Sequence, residues 1–252
     1  MPRTFGRYGW IPDLPDARDL VYQLPRKAGP VPPSADLRSG CPVVYDQGDL
    51  GSCTANAIGA AIEFDQMKQK LAYTVPSRLF IYYNERALEG TIDTDSGAQI
   101  RDGIKTVAAQ GACPEPMWPY LEASFANRPP APCYKYGKLH PAVQYARVAQ
   151  DPGQMKAILA AGYPFVFGFT VYESFESDAV AKSGIVPMPS STETVLGGHA
   201  VMAVGYDDAS QRFLVRNSWG SGWGMGGYFT IPYGYLTDSN LADDFWVIRV
   251  VK

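Results

Sequence analysis

Residues 47–67 read QGDLGSCTANAIGAAIEFDQM, a glycine-broken loop that passes at Cys53 into an apolar run. Ala57, Ala60, Ala61, Phe64 and Met67 recur at helical spacing, and no proline intervenes before Pro76. The spacing predicts a helix from Cys53 to about Leu71, with Ser52 as its cap. A thiol is thereby placed where a loop meets a helix start.

Outward from this stretch, residues 77–88 predict a second helix on Leu79, Phe80, Tyr83 and Leu88, and residues 99–109 a third, stopped by Gly111 and Pro114. Residues 114–141 are dense in proline and aromatics and read as ordered loops. After Asp151-Pro152 a short helix is expected at 154–161, ended by Gly162. The period then falls to two, or to short apolar runs, at 165–171, 200–206, 213–217, 228–231 and 245–251, with glycine and aspartate turns between them. A helical half followed by an antiparallel-sheet half argues for an α+β protein of two lobes. Residues 1–33 are too rich in proline for a long helix and read as an extended arm packed on the body through Tyr8, Trp10 and Leu14.

The composition excludes several classes. A 252-residue chain with 46% hydrophobic and 19% charged residues is ordinary for a globular protein. Its net charge of -3 gives no electrostatic reason to bind nucleic acid or an anionic membrane. No window approaches the length of a membrane span, and the N-terminus lacks the apolar segment of a signal peptide. Localisation stays open from sequence: the protein stays in the cytosol, leaves by a route without a cleaved signal, or is numbered after processing. Cys41, Cys53, Cys113 and Cys133 are too few for a disulfide scaffold and form no CxxC pair, and only His140 and His199 are there to join them, so no metal or other cofactor is expected. The three cysteines besides Cys53 read as free thiols, although spacing leaves a Cys113–Cys133 or a Cys41–Cys113 bridge open.

Three features carry chemistry. Cys53 at a first helical turn has its thiolate favoured by the helix dipole and by backbone donors. Gly48 and Gly51 let a substrate backbone approach, and Gln47 is placed to donate to an oxyanion beside the Cys53 N–H. His199 follows Gly197 and Gly198 at the start of an apolar strand, whereas His140 sits before Pro141 with no such setting. Asn217 opens NSWGSGWG, where its side-chain oxygen can orient a histidine base and Trp219 can shield the pair. Taken singly, each has a plain structural reading: an inert buried thiol, a satisfied histidine, a glycine-rich turn.

Together, Gln47…Cys53, Gly198-His199-Ala200-Val201 and Asn217-Ser218-Trp219-Gly220, extended by Gly222-Trp223-Gly224 and Gly227-Tyr228, resemble the papain-like cysteine peptidases in kind and order. The resemblance implies a two-lobe fold, with a helical lobe (about 45–125) and an antiparallel sheet or barrel lobe (about 140–252), and the site in the cleft between them. It implies a Cys53 nucleophile, a His199 acid/base, an Asn217 orienter and a Gln47 oxyanion donor, with a thiol pKa depressed to about 3–4 in such sites. Gly51, Ser52, Ser96, Gly97, Gly198 and Trp219 fall at substrate-binding positions, Gly97 offering its backbone to an extended peptide. Gly197 and Gly198 imply a roomy pocket for the second residue before the cleaved bond. Thr54 replaces the family's common tryptophan and Leu50 a common disulfide cysteine, which points to a divergent bacterial-type member.

The expected activity is endopeptidase cleavage of peptides or proteins by a monomer of one domain (34–252), with the arm (1–33) as a minimal propeptide that occludes the cleft, or as a strap on one lobe. The rivals are a Cys-His transamidase, which the Asn217 motif disfavours, and a low-turnover binding protein on the same scaffold, which the intact constellation disfavours. A Ser218 or Ser221 hydrolase lacks the GxSxG elbow.

Overall fold

The computed structural model describes residues 7–23, 30–71, 74–139 and 143–250. In chain order the regular elements are β1 (Ser34–Asp36), α1 (Cys53–Lys68), α2 (Arg78–Glu89), α3 (Ile100–Gln110), α4 (Ala131–Gly137), β2 (Val143–Arg147), α5 (Pro152–Ala160), β3 (Phe165–Tyr172), α6 (Asp178–Ser183), β4 (Val195–Asp207), β5 (Arg212–Arg216), β6 (Tyr228–Pro232), α7 (Tyr233–Thr237) and β7 (Ala242–Val250).

The strands form one antiparallel sheet in the order β2-β7-β3-β4-β5-β6, with β1 beside β4. The path is open, so among the described residues the expected sheet or barrel is a sheet. Period-two alternation gives it two buried faces. Phe165, Phe167, Phe169, Val201 and Ala203 enter one core, while Val166, Ala200, Met202 and Val204 enter the other. The second core is filled by α1, which is buried from Cys53 to Asp65 among α2, α3 and the sheet. A helix enclosed on all sides reads as apolar all round. Cys53 is thereby fixed at the seam between helices and sheet.

The three predicted helices of the first half form, with small shifts. Ser77 caps α2, its side chain accepting the Phe80 N–H, and Gly111 stops α3 at φ +68°. Ser52 precedes α1 but caps nothing with its side chain; its hydroxyl is taken by the Tyr120 phenol at 2.5 Å and by Asn56. Leu88, expected in the core, is exposed because the last turn of α2 faces solvent. The stretch expected to be loops contains α4, whose prolines sit in its first turn, where their missing donors cost nothing. His140 and Pro141 lie outside the described residues. All four cysteines are free, Cys113 and Cys133 packed together against Phe80.

Candidate active site

Cys53 is the first residue of α1 and is fully buried. Its sulfur accepts the Ala200 N–H at 3.3 Å, which ties the thiol to the β4 residue next to His199. His199 is the fifth residue of β4, which begins at Val195 and not at the expected position 200, so the histidine lies inside the strand and not before it. Its Nε2 meets the Asn217 Oδ1 at 2.8 Å, and that oxygen also accepts the Ser218 N–H at 2.9 Å. A carboxamide oxygen only accepts, so Nε2 carries the proton and Nδ1 is left with a lone pair. Nδ1 is buried without a hydrogen-bond partner.

Aromatic rings enclose the imidazole. Trp219 stacks on it at 5.0 Å and 29°, Phe169 stands edge-on at 5.8 Å and Tyr8 at 6.0 Å. Burial pushes His199 down to about 4, with the Arg7 charge adding to the effect and the Asn217 hydrogen bond opposing it. At neutral pH the imidazole is therefore uncharged with the arm in place. Next to Cys53 in α1, the Thr54 hydroxyl donates to Glu85 Oε1 at 2.6 Å. Glu85 is wholly buried and its pKa is raised well above the usual range by desolvation, so it is a neutral acid.

Gln47 is held from both ends. Its Oε1 accepts the Ser218 hydroxyl at 2.6 Å, and its Nε2 donates to Leu50 O at 2.8 Å and to Arg7 O at 2.9 Å. The Tyr120 phenol donates to the Gln47 carbonyl at 2.8 Å and so braces the loop before Cys53.

The arm runs through this cleft. The Trp10 N–H donates to Gly198 O (2.9 Å), the Ala98 N–H to Gly9 O (2.8 Å) and the Ile11 N–H to Ala98 O (3.0 Å). Gly9 is pressed between two other glycines: a β-carbon on it would stand 1.7 Å from Gly51 O, and one on Gly97 would stand 2.1 Å from Gly9 O. The Trp10 indole fills the space above Gly168, whose absent side chain makes room for it, and its Nε1 reaches Asp244 at 3.0 Å. Tyr8 packs on Gly197. Further along, Asp13 is buried beside Asp244 and shares Arg147 with it, and burial and that neighbour push Asp13 up to about 7.

Of the residues named from sequence, Cys53, His199, Asn217, Gln47, Gly51, Gly97, Gly198 and Trp219 surround one cleft. Ser52 and Ser96 turn away from it, Ser96 towards Thr91. Ala98, not Gly97, exchanges the backbone bonds with the arm, and Gly97 contributes the space. Gly48 borders the Glu122 carboxylate, not the cleft. Leu14 was expected to pack and is 68% exposed; Tyr8 and Trp10, at 2% and 4%, carry the packing. Sequence reading missed Gly168, Glu176, Asp13 and Asp244, which lie in no motif and meet the arm only through the fold. A surface groove of about 810 Å³, bordered by Asp16, Tyr22, Lys105, Tyr145 and Arg249, lies elsewhere, and none of the cleft residues lines it.

Comparison with known proteins agrees with this geometry. The family profile of papain family cysteine proteases matches residues 31–247. The crystal structure of xylellain, a cysteine protease from Xylella fastidiosa, superposes with a TM-score of 0.94 at 45% identity, over 100% of this chain and 98% of that one. An uncharacterized peptidase C1-like protein of Acanthamoeba polyphaga mimivirus is 46% identical over 97% of this chain and 87% of its own length. A cathepsin B-like protein of Giardia intestinalis is 25% identical over 98% and 81%. The chain belongs to the papain family and is a cysteine peptidase with a mixed helix and antiparallel-sheet fold, acting on peptide or protein substrates.

Proposed function

We propose that this peptidase is an endopeptidase whose catalytic domain, residues 34–252, is held latent by its own arm, residues 1–33. Cys53 is the nucleophile, His199 the general acid and base through Nδ1, and Asn217 the group that sets the imidazole's tautomer. Gln47 Nε2 and the Cys53 N–H hold the oxyanion. Cys53 attacks the peptide carbonyl, His199 protonates the leaving amine, and His199 then takes a proton from the water that hydrolyses the acyl-enzyme.

The observation that carries this reading is the contact of Gln47 Nε2 with the Arg7 carbonyl while Gly9 is clamped between Gly51 and Gly97. A peptide carbonyl thus rests against the oxyanion donor, and chain continues from it along the cleft. The arm runs the opposite way to a substrate. Residues Gly9–Ile11, which follow the Arg7 carbonyl, lie along Gly198 and Ala98, where a substrate places the residues that precede its cleaved bond. Attack on the Arg7–Tyr8 bond would leave the departing amine on the acyl side, so the arm blocks without being consumed. Burial, to which the Tyr8 ring adds, and the Arg7 charge keep His199 neutral, which disfavours the thiolate–imidazolium pair that attack requires.

The test is hydrolysis of internally quenched peptides by Gly9→Ala, whose added β-carbon pushes the arm off Gly51, with and without the further variant Cys53→Ala. Loss of cleavage in the double variant is expected; retained cleavage would falsify the nucleophile assignment. Asn217→Ala is expected to fall by a milder factor, roughly fivefold for the loss of one hydrogen bond of about 1 kcal/mol. An unchanged rate across the pH profile removes its orienting role.

A further inference from the structure

The Arg7 side chain occupies a built site for a guanidinium. Its Nη2 lies 2.7 and 2.6 Å from the two oxygens of Glu176, and its guanidinium carbon stands 4.0 Å over the Trp219 ring. The Tyr8 hydroxyl bonds the same carboxylate. Charge pairing combined with an aromatic platform is the environment that recognises arginine. The site is stiff: Phe175, fully buried beside Glu176, packs on Trp219 at 5.4 Å and on Trp223 at 5.5 Å and fixes the turn Glu173–Glu176 against them.

The position of this site relative to the chemistry follows from the Arg7 backbone. The Arg7 carbonyl is on Gln47 Nε2, and Gly9–Ile11 run off along the acyl side, so the Arg7 α-carbon and side chain lie on the leaving-group side. In a substrate of normal polarity the leaving nitrogen takes the place next to the carbonyl carbon, and the following α-carbon comes one bond later. A long basic side chain on that residue reaches Trp219 and Glu176.

We propose that Glu176 and Trp219, once vacated by Arg7, form a specificity subsite for an arginine or lysine directly after the cleaved bond. The proposal rests on the endopeptidase reading above. The arm is then a mimic on this side: it spends its own arginine on the substrate's subsite. Glu176 is a specificity residue and takes no part in bond making.

The test is an internal competition. Full-length protein is given an equimolar pair of quenched peptides that differ only in arginine or glutamine after the cleaved bond, and the products are quantified together by mass spectrometry. Their ratio equals the ratio of the two kcat/KM values whatever fraction of the enzyme has its arm displaced, so loosening of the arm in a variant cancels. Wild type is expected to favour arginine by about tenfold, the scale of one charge-assisted hydrogen-bonded pair. Glu176→Gln, which keeps size and loses charge, is expected to bring the ratio near one, and Glu176→Lys to invert preference in a glutamate/arginine pair. A wild-type ratio near one, or a preference that survives Glu176→Gln, overturns the subsite. Where the latent wild type cleaves neither peptide the ratios are read in the Gly9→Ala background, whose added β-carbon pushes the arm off Gly51, and cleavage of neither peptide there overturns the endopeptidase reading as well. Equal stoichiometry of Cys53 labelling by a thiol-directed epoxide shows that each variant is folded.

Discussion

Replacing Gly9 by alanine sets a β-carbon 1.7 Å from the Gly51 carbonyl oxygen, and the atom struck is backbone, which has no rotamer to yield. Carbon and oxygen tolerate an approach of about 3.3 Å, so the arm must retreat by about 1.5 Å. That displacement breaks the bonds from Gln47 to Arg7, from Ala98 to Gly9, from Trp10 to Gly198 and from Ile11 to Ala98. At about 1 kcal/mol net for each, docking weakens by about 4 kcal/mol, close to three decades in the ratio of closed to open cleft. The assay is the rate of Cys53 alkylation by a thiol-directed epoxide in the full chain, read beside peptide hydrolysis. Both are expected to rise together until the cleft is fully open. Gly234→Ala is the control, since its β-carbon meets only the Met188 sulfur and methyl, at an ordinary 3.8 and 3.9 Å. Alkylation of folded Gly9→Ala no faster than that of Gly234→Ala would refute the occlusion argument.

Two further outcomes follow from the buried titrating groups. Undocking takes the Arg7 charge and the Tyr8 ring away from His199, so its pKa, about 4 with the arm in place, rises; the closed form binds fewer protons than the open form and acid favours opening. Docking raises Asp13 to about 7, so its contribution to closure is complete below the ordinary carboxylate range and is lost as pH rises through 7. The two slopes oppose each other from about pH 4 upward, and Asp13→Asn is expected to unmask acid opening. The measurement is alkylation rate against pH, normalised to Gly9→Ala; identical profiles for wild type and Asp13→Asn would sink the compensation. In the helical lobe, Thr54→Val strips the neutral Glu85 acid of its donor and is expected to cost about 1–3 kcal/mol, whereas Glu85→Gln, still an acceptor for Thr54, costs less. Thermal melts of the two variants decide it, and a Thr54→Val melt matching wild type counts against the bond.

That Cys53, His199 and Asn217 meet in one candidate site was legible because each sits in a short local pattern: a thiol at a helix start, a histidine after paired glycines, an asparagine in a glycine-tryptophan turn. Helices α1 to α3 were legible from periodicity and from caps such as Ser77 and Gly111. What escaped was either non-local or locally ambiguous. Arg7 and Glu176 are 169 positions apart and Trp10 and Asp244 are 234 apart, so no window of sequence contains either pair. Leu14 was misplaced because an extended segment has no repeat by which its buried side can be read. Helix α4 hid behind prolines taken as loop markers, and β1 is too short to show an alternation. The open edge of the sheet depends on which strands pair, which strand patterns alone do not fix.

The arm is tied down twice outside the cleft. Leu20 and Tyr22 exchange backbone bonds with Arg147 at 2.7 Å, and the Pro33 carbonyl accepts the Asp208 N–H at 2.9 Å. The cleft-filling segment is therefore a ligand on a short leash, present at an effective concentration on the millimolar scale, about a thousandfold above a micromolar substrate. Its individual contacts can be ordinary and still exclude competitors. If the arm holds the enzyme latent as proposed, a single cut between Ile11 and Leu20 changes none of those contacts, yet it releases the cleft-filling segment into bulk solution. On this account activation is a dilution, irreversible because the fragment cannot be re-concentrated at the site.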